Sequence, residues 1–447
     1  MLILIENTVC LNAGDAAIML AIMRILRRTF GEQVEFVVFD SNPEISAKYY
    51  TDTKFRPLTT TLAATRSISL PFVGKRLAIR LRRNIDRLKK FEFRRLLNLA
   101  RKSGDVGWSP LLSEQLRANI GLYAKADLIV STGGTYLVEH YDLSTRLEEF
   151  EKDLMLRKPL VLFTQSLGPF NKPDNRNRIK SIIDQAKLTL LRDVKSEGNL
   201  RAIGVEHDRL KVISDSVFAF ADMERLSKRR GSKQPDKLRV AVSVRDWAHF
   251  DGLSPKEGMT RYKSAVSQAI SALVKTKNAE VTFLSTCQGI PEYHYDDSIV
   301  AQEIANELDV GVRRSVFVDS KFYGPDALLE KVADFDFVIS TRMHMAILSL
   351  CAGVPVLPIS YEFKTTELYN GLSQSRWVTD ISHIDPTSFT ERALEFTDHL
   401  DEFFRAAAPK IREQSLSAWS AGPLIQASLA SQASQTGTGV RSLKQAS

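Results

Sequence analysis

The stretch Phe337-Val338-Ile339-Ser340-Thr341-Arg342-Met343-His344 shows the pattern that decides the fold of this chain. It is a short apolar run that ends in charged side chains. A continuous run of Phe, Val and Ile, without polar alternation, is typical of a strand that is buried on both faces of a parallel sheet. A helix-length segment and a second apolar run, Val354–Ile359, follow it. Strand, helix and strand in succession predict an α/β fold with parallel strands.

The same pattern recurs over most of the 447 residues. Strands are predicted at Leu2–Glu6, Val34–Asp40, Asp127–Ser131, Leu160–Gln165, Leu188–Arg192, Lys211–Ile213, Arg239–Arg245, Glu280–Ser285, Val316–Val318, Phe335–Ile339 and Val354–Ile359. A polar, basic stretch with Gly231 and Pro235 separates two groups of strands. We therefore predict two Rossmann-like, doubly wound parallel-sheet domains that face each other across a cleft. The predicted ranges are an N-terminal domain at 1–226 with a basic helical insertion at about 60–120, a linker at 227–238, a C-terminal domain at 239–420 and a disordered tail at 421–447.

Composition narrows the classes of protein. Hydrophobic residues make up 44% and charged residues 26%, which is typical of a globular protein and excludes a fibrous or fully disordered chain. The sequence has no apolar run of transmembrane length and begins without the features of a signal peptide. Cys10, Cys287 and Cys351 show neither metal-ligand spacing nor a disulfide framework. We expect a cytoplasmic protein with reduced thiols, no metal site and no cofactor, since a dinucleotide fingerprint is also absent.

The net charge of +8 has a local origin. Residues 75–102 contain twelve Lys or Arg and two acidic residues, and Leu77, Leu81, Ile85 and Leu88 recur at helical spacing. One interpretation is a solvated surface helix that packs through its leucines. Another is a helix that rests on anionic headgroups at the inner face of the membrane, as a peripheral contact, or that holds a polyanionic substrate. Nucleic acid is a weaker interpretation, because no binding motif or aromatic platform accompanies the charge.

Charged side chains follow the predicted strands of the second half. Ligands of open parallel sheets bind at the carboxyl ends of the strands, so these positions are the informative ones. Arg342 can hold a carboxylate or phosphate with two hydrogen bonds, and His344 can move a proton near neutral pH. Arg245 follows another strand, and Lys364 follows the strand after His344. A structural role for the histidine is the alternative.

The loops of the first half contain further candidates. Asn12 and Asp15 open a helix after the first strand, either as part of a substrate pocket or only as a helix cap. The other candidates are Gly133, Gly134, Gln165, His140 and Arg192. The glycines allow close backbone approach to an anion, but glycine pairs after strands are common. His140 is either a ligand-binding or a surface histidine, and Arg192 either binds a ligand or pairs with Asp193.

Taken in order, several of these segments resemble the motifs of polysaccharide pyruvyl transferases. The matching segments are Asn12-Ala13-Gly14-Asp15-Ala16-Ala17-Ile18, Gly133-Gly134, Gln165-Ser166-Leu167-Gly168-Pro169, Leu191-Arg192-Asp193, Arg342-Met343-His344, Gly353-Val354-Pro355 and Tyr361-Glu362-Phe363-Lys364. The resemblance covers most of the chain, from about Ile3 to Lys364.

The resemblance implies a GT-B-like fold, with the acceptor on the N-terminal and the donor on the C-terminal domain. It also implies the transfer of pyruvate from phosphoenolpyruvate onto a sugar of a glycan or of a lipid-linked oligosaccharide, as a ketal. Arg342 and His344 match the family's Arg-x-His motif, to which donor binding and proton transfer are ascribed. A glycosyltransferase that uses a nucleotide sugar would share the architecture. A non-catalytic protein that keeps the fold is a further alternative, which the presence of both motif residues disfavours.

Overall fold

The computed structural model describes residues 1–63, 75–139, 141–228 and 236–437. The chain falls into two compact units. The first unit contains Met1–Val9, Ile22–Ile213 and the described residues from Ser420 on, and the second contains Cys10–Ala21 and Ser214–Trp419.

The first unit is built on a parallel sheet. Within the described residues this sheet has eight strands, in the order β3-β2-β1-β4-β6-β7-β8, and β5 also pairs with β6. The strands are β1 (Leu2–Thr8), β2 (Glu35–Asp40), β3 (Phe55–Pro57), β4 (Leu128–Ser131), β5 (Gly134–Leu137), β6 (Leu160–Leu167), β7 (Leu188–Leu191) and β8 (Leu210–Val212). The helices between them are α1 (Ala13–Phe30), α2 (Pro43–Tyr49), α3 (Thr59–Ala63), α4 (Lys75–Ser103), α5 (Glu114–Lys125), α6 (Ser144–Met155), α7 (Pro173–Gln185) and α8 (Val194–Arg201).

The second unit contains a parallel sheet of six strands within the described residues, in the order β11-β10-β9-β12-β13-β14. The strands are β9 (Leu238–Ser243), β10 (Ala279–Phe283), β11 (Val316–Val318), β12 (Phe337–Ser340), β13 (Val356–Ser360) and β14 (Thr379–Asp380). The helices are α9 (Pro255–Lys277), α10 (Asp297–Asn306), α11 (Val310–Arg313), α12 (Pro325–Val332), α13 (Met343–Cys351), α14 (Phe363–Gly371), α15 (Pro386–Asp398) and α16 (Leu400–Trp419). Short 3-10 helices occur at Ser216–Phe220, Arg225–Ser227 and Ser375–Trp377.

The predicted fold class, two parallel-sheet α/β domains, is confirmed. All eleven predicted strands are present, because continuous apolar runs such as β12 and β6 are buried along their whole length. The sequence did not reveal β3, β5 and β14. These strands have only two to four residues and partly exposed side chains, so they lack the apolar run that marks the others.

The boundaries differ from the predicted 1–226 and 239–420. The second unit begins at Ser214 and includes residues 10–21, which contain the first turns of α1. The reason is packing: Val217 and Phe218 in the first 3-10 helix are fully buried in the second unit, against α13 and α16. Strand periodicity does not show on which sheet such a connecting segment packs. Of the predicted linker, residues 229–235 lie outside the described residues.

The predicted tail is helical over much of its length. Helix α17 (Ala421–Gly437) belongs to the first unit, and its residues Ala421 and Ile425 are completely buried. The prediction of disorder is therefore wrong for residues 421–437, because Ala and Gln are good helix formers and the buried side chains supply tertiary packing. Residues 438–447 lie outside the described residues. None of the helices in the described ranges is long and apolar enough to cross a bilayer.

A group of buried charges holds α6 against β1 in the first unit. The Lys152 Nζ atom lies 2.6 Å from Glu149, 3.2 Å from Asp153 and 3.4 Å from Glu6, and these side chains are at most 1% exposed. The Tyr123 hydroxyl donates to Glu6 at 3.0 Å. Burial, followed by the charge of Glu6, raises the pKa of Asp153 well above its ordinary value. One cation therefore stabilises three carboxyl groups in a nearly dry interior.

We expect the substitution Lys152→Met to destabilise the first unit by about 3–5 kcal/mol, because it leaves buried carboxylates without their cation. The free energy of unfolding in urea measures this. The matched control is Lys90→Met, since the Lys90–Glu148 pair spans 3.8 Å and both side chains are at least half exposed. Equal stability of the two variants would show that the cluster does not depend on its lysine.

Candidate active site

Several polar and charged side chains of the second unit lie together at one edge of its sheet. In the parallel register Ser340 pairs with Ser243, so β9 and β12 end side by side, and β13 pairs with β12. Arg245, Arg342 and Tyr361 lie within two residues of the ends of these three strands. The topology therefore brings Arg245 to the same edge as Arg342 and Tyr361, which follow it by about one hundred positions in the sequence.

Arg342 is held by a carboxylate. Its Nε atom donates to Asp297 Oδ2 at 2.8 Å, and its Nη2 atom donates to Asp297 Oδ1 at 2.5 Å. The Ser285 hydroxyl donates to the same carboxylate. Burial disfavours the charged guanidinium, but the contacts with Asp297 outweigh burial and raise the pKa of Arg342. The arginine side chain remains 14% exposed whereas that of Asp297 is 3% exposed, so the pair fixes an arginine that still reaches solvent.

His344 lies in the first turn of α13 and contacts two other segments of the second unit. A Cβ atom at Gly14 would lie 2.9 Å from both Cβ and Nδ1 of His344, so only glycine lets the start of α1 come this close to the histidine. On the other side, Nε2 lies 3.7 Å from Asp215 Oδ2. This distance is too long for a hydrogen bond, and Nε2 is buried without a hydrogen-bond partner in the structure. The ring is therefore placed beside a carboxylate with one nitrogen unused.

The turn before α1 packs in the second unit, although β1, which precedes it in the sequence, belongs to the first unit. Asn12 and Asp15 belong to the second unit, together with His344, and not to the first unit. Asn12 accepts from the Gly14 N–H at 2.9 Å and donates to Asp15 at 3.0 Å. The Ala13 N–H donates to the Thr286 carbonyl at 2.8 Å. These bonds give the turn a structural role and place its polar side chains in the same unit as the histidine.

Aromatic rings hold Arg245 in place. Its guanidinium lies 4.1 Å from the Tyr361 ring centre and 4.7 Å from that of Trp247. Lys364 lies 5.2 Å from the Tyr361 ring centre and 2.7 Å from Glu362. Burial raises the pKa of the Tyr361 phenol, but Lys364 and Arg245 together outweigh burial and lower that pKa. A site of positive potential therefore lies at the ends of β9 and β13.

The candidates in the first unit are held by other protein groups. A Cβ atom at Gly133 would lie 2.7 Å from the Thr164 carbonyl oxygen, so glycine is required there for the packing of β4 on β6. Gly134 begins β5. Gln165 is fully buried, and its amide donates to the Thr132 carbonyl and to the Tyr136 hydroxyl. These contacts give all three residues structural roles. His140 lies outside the described residues.

Arg192 also lies at the carboxyl edge of the first sheet. It donates to Ser166 at 2.8 Å and to Thr135 at 2.7 Å. Asp193, the partner considered from the sequence, accepts from the same Ser166 hydroxyl and caps α8 through the Ser196 N–H. Arg192 is partly exposed, so this network orients its guanidinium without covering it.

Several polar residues at these edges were not identified from the sequence. In the first unit, Arg146 donates to Asn7 at 2.7 Å and lies over the Tyr136 ring at 5.1 Å. In the second unit, the sequence analysis missed Asp297 and Asp215. An acidic residue at a helix start or in a loop has many roles, and only the folded chain shows that these two face Arg342 and His344.

The chain was compared with known proteins. A family model described as polysaccharide pyruvyl transferase matches residues 12–362. Among curated proteins, the amylovoran biosynthesis protein AmsJ of Erwinia amylovora is 24% identical over 298 residues, which cover 64% of this chain and 69% of AmsJ.

Solved structures resemble the fold at low sequence identity. The UDP-GlcNAc 2-epimerase of Neisseria meningitidis, bound to UDP-GlcNAc, has a TM-score of 0.52 at 10% identity and covers 96% of this chain and 99% of its own. A putative UDP-N-acetylglucosamine 2-epimerase of Listeria monocytogenes has a TM-score of 0.52 at 13% identity, with 94% of each chain covered. The S. aureus MnaA–UDP complex has a TM-score of 0.51 at 11% identity and coverages of 94% and 92%. These likenesses show a GT-B-like fold.

We expect the three cysteines to be unreactive in the native protein. Cys10, Cys287 and Cys351 are at most 1% exposed, and burial raises the pKa of Cys287 to about 12. An ordinary thiol with a pKa near 8.5 is about one quarter thiolate at pH 8, whereas Cys287 stays protonated there. Titration with a disulfide reagent at pH 8 should detect thiols only after denaturation. Rapid labelling of Cys287 in the folded protein would contradict this expectation and would show that its thiol is accessible and reactive.

Proposed function

The chain belongs to the polysaccharide pyruvyl transferase family, and we propose that it transfers pyruvate from phosphoenolpyruvate onto a sugar of a cell-surface polysaccharide or of its lipid-linked precursor. The product would be a pyruvate ketal. The observation that carries the proposal is the family match over residues 12–362, which includes the Arg342–His344 motif. The relative AmsJ is named for amylovoran biosynthesis, which supports a biosynthetic role, and we propose an exopolysaccharide as the polymer.

The donor would bind at the carboxyl edge of the second sheet. Phosphoenolpyruvate carries a carboxylate and a phosphate on three carbons, so its site needs several cations close together. Arg342, Arg245 and Lys364 offer three. Since Asp297 engages Nε and Nη2 of Arg342, Nη1 is the nitrogen that we assign to the donor. The remaining cations would bind the phosphate and stabilise it as it leaves.

The proposed reaction begins with a proton transfer to the donor. The His344 imidazolium protonates the methylene carbon of the donor, which makes the neighbouring carbon electrophilic. One sugar hydroxyl adds there and returns a proton to the imidazole. The carbon–oxygen bond to phosphate then breaks, the second hydroxyl adds, and its proton leaves with the phosphate. The two hydroxyl protons therefore balance the new methyl group and the hydrogen phosphate, and no redox partner is needed.

Two neighbours of His344 suit this role. The Asp215 carboxylate, 3.7 Å from Nε2, would face the ring while it holds the proton that it transfers. Gly14 leaves room for the ring against the start of α1, whose positive dipole end also favours an anionic donor. Asn12 and Asp15, in the same turn, would contact substrate from this side.

The acceptor sugar is assigned to the carboxyl edge of the first sheet. Arg192 and Arg146 are partly exposed there and donate to neutral side chains. Guanidinium groups and hydroxyl or amide groups together are suited to sugar hydroxyls. His140 stays a candidate for the same role, and Gly133, Gly134 and Gln165 would act by shaping this edge.

Transfer from a nucleotide sugar is the second candidate function. It is favoured by one observation, since similar folds have been solved with UDP or UDP-GlcNAc. The cations of the second unit would suit a diphosphate as well as phosphoenolpyruvate.

Thermal unfolding with each donor separates the two functions. Phosphoenolpyruvate at one hundred times its Kd should stabilise the protein by about 2.7 kcal/mol, in buffer with EDTA, since the proposed site uses side-chain cations and no metal. UDP-GlcNAc is the matched control and should have little effect. The direct assay is the mass gain of a glycan by one pyruvyl ketal, with release of phosphate. If UDP-GlcNAc stabilises the protein and phosphoenolpyruvate does not, transfer from a nucleotide sugar becomes the better assignment.

We expect His344→Ala to lower the turnover of pyruvyl transfer by about 10²- to 10⁴-fold, because the variant lacks the acid that protonates the donor. Stabilisation by phosphoenolpyruvate should persist, which separates lost chemistry from lost binding. His383→Ala, at a side chain that is 75% exposed, is the control and should keep full activity. Near wild-type turnover of the His344 variant would remove this residue from the mechanism.

A further inference from the structure

Helix α4 buries apolar side chains toward its C-terminal end and exposes an apolar stripe on another face. Toward its C-terminal end, Leu96, Leu97 and Ala100 are at most 3% exposed in the core of the first unit. Leu77, Leu88 and Phe91 share a different face, because eleven residues make about three turns and three residues make about one. These three side chains are 55%, 56% and 68% exposed. The predicted packing of the leucines against the protein therefore fails for Leu77 and Leu88.

This exposed face is too apolar for an ordinary surface helix. Single exposed apolar residues are common on globular proteins, but several on one helix face mark an interaction surface. Full burial of each such side chain is worth about 1.5–3 kcal/mol, so a partner with an apolar phase would gain from covering them. The face also ends in a bulky ring, Phe91, whose neighbours Arg87 and Lys90 are exposed.

Basic residues lie beside the apolar stripe. Arg83, Arg87 and Arg94 are exposed and are spaced by four and seven residues, which puts them on one stripe of the helix about a third of a turn from Leu88. Of the two acidic residues in the segment, Glu92 is bound to Arg95 at 2.7 Å. The segment therefore presents a strongly positive surface next to apolar side chains.

We propose that this face of α4, formed by Leu77, Leu88, Phe91, Arg83, Arg87 and Arg94, docks on a bilayer surface that contains anionic lipids. The headgroups would bind the arginines and the acyl boundary would take up the apolar stripe. A nucleic acid or a soluble polyanion would satisfy the arginines but would leave the three apolar side chains in water. A lipid interface offers both chemistries at the spacing of this helix.

Docking of α4 is independent of the transfer reaction. Combined with the proposed function, it would hold the protein at the surface that carries a lipid-linked acceptor. Vesicle binding is measured without donor or acceptor, so failure of one proposal leaves the other standing.

The test is sedimentation of the full chain with vesicles of phosphatidylglycerol and phosphatidylcholine, and with vesicles of phosphatidylcholine alone. Binding to the anionic vesicles is expected, at least tenfold tighter than to the neutral ones and weaker at high salt. The double variant Leu88→Gln, Phe91→Gln and the triple variant Arg83→Gln, Arg87→Gln, Arg94→Gln should each weaken it at least tenfold. Both change exposed side chains, and circular dichroism checks that they fold.

The matched control neutralises three exposed basic residues of the second unit, by Lys256→Gln, Lys275→Gln and Arg405→Gln, and should bind as the wild type. Wild-type binding by the Leu88, Phe91 variant would overturn the proposal, because the apolar stripe would then be irrelevant. Absence of vesicle binding, with heparin binding that the arginine variant abolishes, would also overturn it and would assign α4 to a soluble polyanion.

Discussion

The contact between Arg342 and Asp297 is the constraint on which the second unit's polar edge depends. A guanidinium that is only 14% exposed is stabilised by a carboxylate that binds it at short range, and Asp297 does so through two hydrogen bonds of 2.8 Å and 2.5 Å. The pair joins the end of β12 to the first residue of α10. Because α13 begins directly after Arg342, the same contact fixes the helix start that carries His344. Charge pairing and the direction of parallel strands thus place both residues together.

The first unit contains a buried charge group of a different kind. Lys152 is 1% exposed and has three carboxyl groups around it, whereas Arg342 has one partner and is 14% exposed. A cation surrounded on all sides has no free direction for a ligand, so its effect is on stability. A cation held on one side keeps the other side for an incoming anion. This difference in exposure and partners separates a structural charge group from a candidate binding group.

The sequence allowed prediction of those parts of the fold that depend on local pattern. Apolar runs revealed the long strands, and the Arg-x-His motif drew attention to the polar edge at the end of β12. Contacts between distant residues were not predictable: Asp297 is 45 positions from Arg342, and no local signal connects them. At Gly133 the structure adds a requirement that the sequence did not show, since a Cβ atom there would lie 2.7 Å from the Thr164 carbonyl oxygen. Helix α17 was missed because its Ser, Gln and Ala residues have a composition that disordered tails share.

The distribution of charge connects the fold to its surroundings. The surplus of ten positive residues in 75–102 exceeds the net charge of +8, so the rest of the chain has a slight negative excess. A charge that served solubility alone would be spread over the surface, whereas this one is confined to a single helix. The same helix leaves Leu88 and Phe91 exposed while it buries Leu96 and Leu97 a turn or two later. Because the same helix packs Leu96, Leu97 and Ala100 in the core, the exposed stripe is better explained by a partner than by poor packing.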